Sequence, residues 1–353
     1  MKMIHMQNNL ELLVIKPTAH CYHRCLYCKG RQEYYSELNN CDTQRYLQPN
    51  NVIQLIDEAA TLGIKSLQIS GGDPLLYPYL IDIIKAASKH KDIFIFINSV
   101  GHGIDGISAR NIIEAGLCAW NFSVDTLNDD TYTELRGIKG ALSKVLNSVE
   151  VVRAAAADFP DFCINYMTVI TRKNFRDLPN LLHHCISTNV SSMHLMNVYG
   201  DTSGTLYLNR DELNEFREII VPEMINIIYN SSCHDIVLDN AKNVLSSFYS
   251  AALSSDENYS AGIYWHSPED AKKACNAPNK TMVVSPYGHV LPCCMVELSH
   301  TEDLGSAFNT PLSNIWFSEG YEVFRKQRLD FCQYCPIPQH RTLGLVPKMC
   351  KQF

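Results

Sequence analysis

Three cysteines lie close together near the start of the chain. Cys21, Cys25 and Cys28 follow the spacing C-x3-C-x2-C in the run AHCYHRCLYCKG. Three thiolates on one loop can face a common centre, bind three irons of a [4Fe-4S] cubane and leave the fourth iron open to another ligand. A structural zinc site needs a fourth ligand, which His20 or His23 would supply. The spacing favours iron–sulfur and leaves zinc open.

A second group of cysteines lies near the C-terminus and ends in a C-x2-C pair. Its members are Cys275, Cys293, Cys332 and Cys335. Spacing alone allows a four-cysteine zinc ribbon here. Cys294 is an alternative to Cys293, and Cys350 is an alternative ligand or a ligand of a further cluster.

The chain contains 14 cysteines in all, and this number needs an explanation. No secretory signal is recognisable at the N-terminus, so a disulfide framework is not the default interpretation and a cytoplasmic location is expected. Most of the remaining cysteines are expected to be buried packing residues. Cys163, in a predicted strand, is a candidate hydrogen-atom donor to a substrate radical.

These cysteines must be positioned by a regular framework, and the sequence up to about residue 200 predicts one. Short β-branched runs alternate with helical patterns about six times, which is typical of βα units around a parallel sheet. Six units are fewer than the eight of a closed barrel, so an α/β fold with a partial (β/α)6 TIM-like barrel is predicted. The predicted strands are 11–18, 66–70, 93–98, 119–124, 162–170 and 192–198, and the helices between them are about 50–62, 78–89, 108–116, 128–136, 142–157 and 177–187.

The pattern changes after about residue 208. A long helix (about 210–229), a strand near 235–238 and a helix near 241–253 are predicted, followed by a polar, turn-rich boundary at 256–270. A hairpin is expected at 281–293, with Pro-Tyr-Gly at its turn. The predicted domains are therefore a barrel core (1–208), a helical linker region (209–270) and a small Cys-rich C-terminal domain (271–353).

A Gly-Gly-Asp-Pro turn ends the second predicted strand. Gly71 and Gly72 let the backbone approach a ligand closely, since they have no Cβ. The C-terminal edge of a parallel sheet is where active sites form. The first Cys loop follows the neighbouring strand, so the loop and the turn are expected to meet at this edge.

Together these features resemble the radical S-adenosylmethionine (SAM) enzymes, which have a C-x3-C-x-aromatic-C loop after strand one. Tyr27 takes the aromatic place, and Asp73 stands where the family usually has Glu in Gly-Gly-Glu-Pro. Asn98 matches an Asn at the end of the third strand, and Ser123 and Asp125 match a Ser-x-Asp on the fourth. The run NFSVDTLNDDTYTELRG is similar to this stretch in molybdenum-cofactor cyclases and peptide-modifying relatives.

The resemblance implies which positions contact SAM. Asp73 would reach the SAM amino group, and the matched residues of strands three and four would touch its ribose and carboxylate. The full set of implied cofactor-binding residues is Tyr27, Gly71, Gly72, Asp73, Asn98, Ser123 and Asp125. The implied chemistry is one-electron reduction of SAM bound at a [4Fe-4S] cluster, which gives methionine and a 5′-deoxyadenosyl radical.

The later cysteines resemble the C-terminal SPASM extension of these enzymes, or its shortened twitch form. Arg341 and Leu345 stand where the full SPASM pattern has two further cysteines. This truncation implies one auxiliary [4Fe-4S] cluster, and four thiolates leave no iron open, which favours an electron-acceptor role. Its implied ligands are Cys275, Cys293, Cys332 and Cys335.

Charge and hydropathy exclude several classes of partner. The net charge is -7 and no basic run appears, so neither nucleic acid nor an anionic membrane surface is an expected partner. No stretch approaches the length of a membrane span. The resemblance implies a flavodoxin- or ferredoxin-type electron donor.

The leading hypothesis is a radical SAM oxidoreductase that modifies a ribosomally made peptide by crosslinking, oxidation or epimerisation. The alternative within the family is dehydrogenation of a sugar or aminocyclitol hydroxyl, which the twitch-like spacing suggests. A zinc-binding structural or regulatory protein without catalysis is the hypothesis from another class.

Overall fold

A computed structural model gives the fold. It describes residues 9–28, 46–199, 201, 203–231, 254–295, 304–326 and 330–335. The predicted strand at 235–238 and helix at 241–253 lie outside the described residues, as do Cys41, Cys233 and Cys350.

The first half of the chain alternates strands and helices as predicted. Its main elements are β1 (Leu12–Thr18), α1 (Pro49–Thr61), β2 (Ser66–Gly71), α2 (Leu80–Ala87), β3 (Phe94–Ser99), α3 (Gly106–Glu114), β4 (Ala119–Ser123), α4 (Asp129–Arg136), α5 (Ala141–Ala155), β5 (Cys163–Ile170), α6 (Leu178–Ser187) and β6 (Ser192–Asn197).

The second half is mostly helical. Its elements are α7 (Arg210–Glu215), a π-helical turn (Phe216–Ile220), α8 (Val221–Asn230), α9 (Asp256–Ser260), α10 (Pro268–Ala274), β7 (Thr281–Val284), β8 (Val290–Leu291), α11 (Leu312–Trp316), α12 (Glu319–Lys326) and a 3-10 helix (Asp330–Tyr334). The long helix predicted from 210 is thus interrupted by the π-helical turn just before Pro222, which has no N–H to donate to a preceding carbonyl.

All described strands form one sheet in the order β6-β5-β4-β3-β2-β1-β7-β8. The strands β1 to β6 pair in parallel with their chain neighbours. This confirms the α/β fold with a partial (β/α)6 barrel. Since parallel strands carry their carboxyl ends to one edge, the loops after β1 and β2 meet there.

The predicted C-terminal hairpin is β7 and β8, and it extends the barrel sheet. β7 pairs with β1 in parallel, with Leu12 opposite Thr281, and β8 returns antiparallel to β7. The Cys-rich C-terminal part is therefore built directly onto the strand that leads into the first Cys loop.

Strand side chains alternate between two faces of the sheet. Leu13 and Ile15 of β1 belong to the large core that the helices cover. Leu12 and Val14 belong to a smaller apolar cluster on the other face, which apart from Phe324 of α12 consists of buried strand side chains. This second face is the inner face of the barrel, and we call its apolar cluster the inner layer.

The helix that follows β4 has well-defined ends. Asn128 caps α4 by accepting a hydrogen bond from the Thr131 N–H at 2.9 Å. Gly137 ends it with φ of 73°, in the left-handed region that favours glycine. No helix among the described residues is long and apolar enough to span a membrane.

Candidate active site

The first Cys loop directly follows β1, and its three thiols are half-buried. Two of the three sulfurs accept hydrogen bonds from protein groups. The His23 N–H donates to Cys21 Sγ at 3.4 Å, and the Arg136 guanidinium donates to Cys25 Sγ at 3.4 Å. Such donors stabilise thiolate charge.

The loop is tied to the last turn of α4. The Arg24 N–H donates to the Arg136 carbonyl at 2.9 Å, and the Leu26 N–H donates to the Leu135 carbonyl at 3.0 Å. A Cβ added at Gly137 would lie 3.0 Å from Arg24. The Cys loop therefore packs closely against the end of α4 and is hydrogen-bonded to it.

The loop thiols need positive charge in order to ionise. Burial and the nearby Asp73 carboxylate raise the pKa of Cys21 to about 12. Burial also raises the pKa of Cys25, against the opposing effect of Arg136. Iron would supply the missing positive charge, because bound metal deprotonates its cysteine ligands.

The Gly-Gly turn after β2 touches the backbone that leads into the Cys loop. The Gly72 N–H donates to the Thr18 carbonyl at 2.8 Å, and the Asp73 N–H donates to the His20 carbonyl at 2.6 Å. A Cβ at Gly72 would lie only 1.9 Å from the His20 oxygen. Glycine is thus required here for close approach, as the motif predicts.

Asp73 is 1% exposed and is engaged by protein groups. One carboxylate oxygen accepts from the Ser99 hydroxyl at 2.7 Å and the Leu75 N–H at 3.1 Å, and the other accepts from the Val100 N–H at 3.3 Å. Burial raises the pKa of Asp73, although these hydrogen bonds oppose the rise. In this structure Asp73 holds the ends of β2 and β3 together, and its contact with SAM stays a prediction.

Asn98 begins a row of polar side chains across the inner face of the barrel. Asn98, Asn121, Asn165 and Ser192 are register partners on β3, β4, β5 and β6. Each side chain donates to the one on the preceding strand. Asn121 donates to Asn98 at 2.8 Å, Asn165 to Asn121 at 2.9 Å, and the Ser192 hydroxyl to Asn165 at 3.0 Å. We call this row the amide ladder.

The amide ladder ends on His194, whose Nε2 is 2.8 Å from the Ser192 hydroxyl. Burial lowers the pKa of His194 to about 4, so the imidazole is neutral at pH 7. Of these residues the sequence singled out only Asn98. Each of the other strands has a polar residue among its inward-facing positions. These residues can be recognised as a row only when the register of the strands is known.

We expect Asn165→Leu to destabilise the protein more than an ordinary polar substitution. Asn165 is 1% exposed, and its loss leaves the buried Asn121 oxygen without its donor, while the Ser192 hydroxyl keeps only His194. Leaving buried polar groups unpaired costs about 1–3 kcal/mol each, so the thermal midpoint should fall by roughly 5 °C. Differential scanning calorimetry measures this.

Asn180→Leu on the exposed surface of α6 is the matched control, with an expected effect within about 0.5 kcal/mol. If the two variants unfold at the same temperature, the ladder does not contribute to stability as argued.

The two motif residues at the end of β4, Ser123 and Asp125, have different surroundings. Ser123 is half-buried at the strand end, where its carbonyl accepts from the Tyr132 hydroxyl at 3.2 Å. Asp125 is 0% exposed, and its carboxylate accepts from Arg136, Tyr27 and the Val169 N–H. The implied SAM contacts of Ser123, Asp125 and Tyr27 stay predictions, and the Asp125 carboxylate is already committed to protein donors.

Two of the later cysteines, Cys275 and Cys335, lie near Cys293. Burial raises the pKa of Cys293 well above its ordinary value, and the nearby thiols of Cys294, Cys275 and Cys335 raise it further. Cys335 shares a tight turn with Cys332, whose carbonyl accepts its N–H at 3.1 Å. This turn packs against α10, the helix that ends at Cys275.

The same turn is fixed by an aromatic pair from the segment before α10. The Tyr264 and Trp265 N–H groups donate to the Gln333 carbonyl at 2.9 and 3.0 Å. The Trp265 indole N–H donates to the Cys335 carbonyl at 3.0 Å. These hydrogen bonds hold the C-x2-C pair beside the other cysteines.

Cys293 and Cys294 differ in their surroundings. Cys293 packs against the inner layer, whereas Cys294 is exposed. Cys293 lies near both Cys275 and Cys335, whereas Cys294 lies near Cys275. The choice of Cys293 as the ligand stays a prediction.

Cys163 lies in the inner layer at the start of β5 and is 6% exposed. Its sulfur is part of a disulfide. A disulfide has no S–H to give, so a hydrogen-donor role would need the reduced thiol of Cys163, and that role stays a prediction.

Comparison with known proteins decides what kind of site this is. The radical SAM superfamily domain matches residues 15–185, which include the Cys loop, the Gly-Gly turn and the end of β4. The chain therefore contains a radical SAM domain. An iron–sulfur cluster-binding SPASM domain matches residues 275–336, which include the four later cysteines.

The curated relatives of this radical SAM protein carry out different reactions. It is 24% identical over 329 residues to an AdoMet-dependent heme synthase of Methanosarcina barkeri, covering 92% of this chain and 87% of the relative. It is 26% identical to a GTP 3′,8-cyclase of Petrotoga mobilis, covering 66% and 72%. It is 24% identical to a PqqA peptide cyclase of Granulibacter bethesdensis, covering 90% and 75%.

Solved structures share the fold over nearly the whole chain. Streptococcus suis SuiB bound to the precursor peptide SuiA superposes with a TM-score of 0.65 at 18% identity, covering 93% of this chain and 71% of that one. The protein anSMEcpe with bound AdoMet and a Cp18Cys peptide gives 0.62 at 15% identity, covering 92% and 87%.

The radical SAM domain implies a [4Fe-4S] cluster and SAM, and the SPASM domain implies auxiliary iron–sulfur, which speaks against the zinc interpretation of either cysteine group. The donor chemistry of the first Cys loop fits the first of these groups. The loop offers three half-buried thiols with N–H donors aimed at two sulfurs, beside a turn that any Cβ would block.

Proposed function

We propose that this protein is a radical SAM oxidoreductase that modifies a ribosomally made peptide. Cys21, Cys25 and Cys28 would hold the cluster, and the Gly-Gly turn and Asn98 would contact SAM. When bound, the reduced cluster supplies the electron that splits SAM into methionine and a 5′-deoxyadenosyl radical, which takes a hydrogen atom from an unactivated substrate carbon. The convergence of the Cys loop and the Gly-Gly turn is the observation that carries this proposal.

The protein residues orient SAM and keep water out. The glycine backbone at residues 71 and 72 packs directly against the backbone that leads into the Cys loop, which fixes the turn beside the loop. Asn98 presents its amide from the inner face, held by the hydrogen bond from Asn121. A ligand held in this way meets preorganised donors rather than mobile ones, which lowers the cost of reaching a reactive geometry.

Cys275, Cys293, Cys332 and Cys335 would hold one auxiliary cluster, which would supply an acceptor for the electron of the substrate radical. β7 and β8 join the later cysteines to the barrel sheet next to β1. The first Cys loop follows the carboxyl end of β1, whereas Cys275 precedes β7 and Cys293 follows the antiparallel β8, so the two groups lie toward opposite ends of neighbouring strands. A substrate on the inner face of the barrel would lie between them, which suits electron transfer to the auxiliary site.

A peptide substrate is supported by the proteins that share this fold. SuiB and anSMEcpe both have solved complexes with peptides, and PqqA peptide cyclase matches nine tenths of the chain. Each of these matches extends through the C-terminal region as well as the barrel.

Co-expression with short peptide genes beside the gene for this chain tests the proposal. Peptide mass spectrometry should show loss of two hydrogen atoms for a crosslink or oxidation, or one added deuterium in D2O for epimerisation, and a Cys25→Ala variant should give neither. An unmodified peptide together with an oxidised sugar or aminocyclitol would reject the peptide and favour the alternative substrate.

We expect Cys293→Ala to remove one cluster and spare SAM cleavage. The reconstituted protein should fall from about eight irons per chain to about four, since one of two cubanes loses a ligand. Formation of 5′-deoxyadenosine with dithionite in the absence of substrate should stay within about threefold, because the first Cys loop is untouched.

Cys294→Ala is the matched control, since it removes the neighbouring and exposed thiol. It should keep both clusters. Loss of iron in this variant, with full iron in Cys293→Ala, would show that Cys294 is the ligand.

A further inference from the structure

Arg136 joins the end of α4 to a sulfur of the Cys loop. Its guanidinium donates to Cys25 Sγ at 3.4 Å and to the Asp125 carboxylate at 2.7 Å, and the side chain is 5% exposed. A buried cation is stable only with a charge partner and well-placed hydrogen bonds. Arg136 has both, and one of them is a predicted cluster ligand.

The position of this cation is fixed from several sides. Its guanidinium carbon lies 5.4 Å from the Tyr27 ring centroid and 5.8 Å from that of Tyr132, within the range of cation–π attraction. Asp125 is held in turn by the Tyr27 hydroxyl and by the Val169 N–H at 2.9 Å. Arg136 therefore cannot leave Cys25 without losing its other partners.

We propose that Arg136 raises the reduction potential of the cluster bound by Cys25, and that Asp125 is a positioning residue that acts through Arg136. This inference rests on the proposed ligand role of Cys25. One-electron reduction by dithionite adds a negative charge to the cluster and its thiolates without a proton. A buried cation that donates to one of those sulfurs stabilises the reduced form more than the oxidised form.

This assignment changes the role that the Ser-x-Asp motif suggests. The sequence resemblance implies that Asp125 contacts SAM. Here its two oxygens are taken by Arg136, Tyr27 and Val169, and the carboxylate is fully buried. Its effect on SAM cleavage is therefore exerted through the electron that SAM must receive.

The test is a redox titration of the reconstituted full-length protein, followed by electron paramagnetic resonance. The signal that changes when SAM is added belongs to the cluster of the first Cys loop, which separates it from the auxiliary cluster. Arg136→Met fills a similar volume without charge or donor. We expect the reduction equilibrium to weaken roughly tenfold, which lowers the potential by about 59 mV.

Arg153→Met on α5 is the matched control, because Arg153 pairs with Glu150 on a half-exposed surface. Its potential should equal that of the wild type. The proposal is overturned if Arg136→Met keeps its iron and its potential moves by less than about 18 mV, a twofold effect, or moves upward.

If the Arg136→Met variant does not hold a cluster, the same redox titration is made on Arg136→Lys. The ammonium keeps the charge, but it cannot reproduce the planar fork that bridges Asp125 and Cys25. A fall of roughly 20–40 mV, twofold to fivefold, is expected, and an unchanged potential overturns the proposal. Failure of the proposed function looks different, because the wild type itself would then show no SAM-sensitive signal.

Discussion

Cys25→Ala should abolish SAM cleavage. Without the thiolate at the centre of the loop the cluster lacks one of three ligands, and the electron has no route to SAM. We expect 5′-deoxyadenosine formation to fall by more than roughly a thousandfold and the iron content to fall by about four per chain. Anaerobic reconstitution, iron analysis and chromatography of the nucleoside product measure both effects.

Cys118→Ala is the matched control, since Cys118 is also half-buried but lies next to β4, away from the loop. It should keep its iron and its activity. A Cys25→Ala protein that still forms 5′-deoxyadenosine with a full complement of iron would contradict the assignment of the first Cys loop.

Two different kinds of sequence signal explain what could be predicted. Hydrophobic alternation is local, so the six strands were placed to within a residue or two: the predicted strand 66–70 is Ser66–Gly71, and 192–198 is Ser192–Asn197. The Cys loop and the Gly-Gly turn were predicted to meet because parallel strands end at one edge, and their backbones do meet.

What could not be predicted depends on contacts between distant parts of the chain. The amide ladder needs the register of four strands, and each strand contributes a single polar residue that looks unremarkable alone. The pairing of β7 with β1 joins residues about 270 apart, and local pattern carries no information on it. The C-terminal hairpin was therefore predicted as an element but not as part of the barrel sheet.

The acidic residues of the motifs show a further limit. Resemblance indicated that Asp73 and Asp125 are important, and both are fully buried at the carboxyl edge. It could not indicate that their oxygens are satisfied by protein donors, such as Ser99 for Asp73 and Arg136 for Asp125. A motif gives the position of a residue, and only the structure gives its partners.

Gly72→Ala should disrupt the site severely, although it adds only one methyl group. The added Cβ would lie 1.9 Å from the His20 oxygen and 2.7 Å from the Ala19 carbonyl carbon, which are backbone atoms and cannot rotate away. Either the turn or the loop must move, and His20 is bonded directly to Cys21. We expect SAM to bind at least about tenfold more weakly, by roughly 1.4 kcal/mol, and the cluster to be lost more readily to chelators.

Gly106→Ala provides the matched control, because a Cβ there meets nothing within 4 Å. Gly106 is the first residue of α3, so this variant should fold and bind SAM as the wild type does. Equilibrium dialysis with labelled SAM and a thermal unfolding curve, measured on both variants, separate a local effect from general misfolding. If Gly72→Ala binds SAM as the wild type does and retains its cluster, then the close approach of the turn to the loop is not what builds this site, and the SAM contacts must be sought on the amide ladder instead.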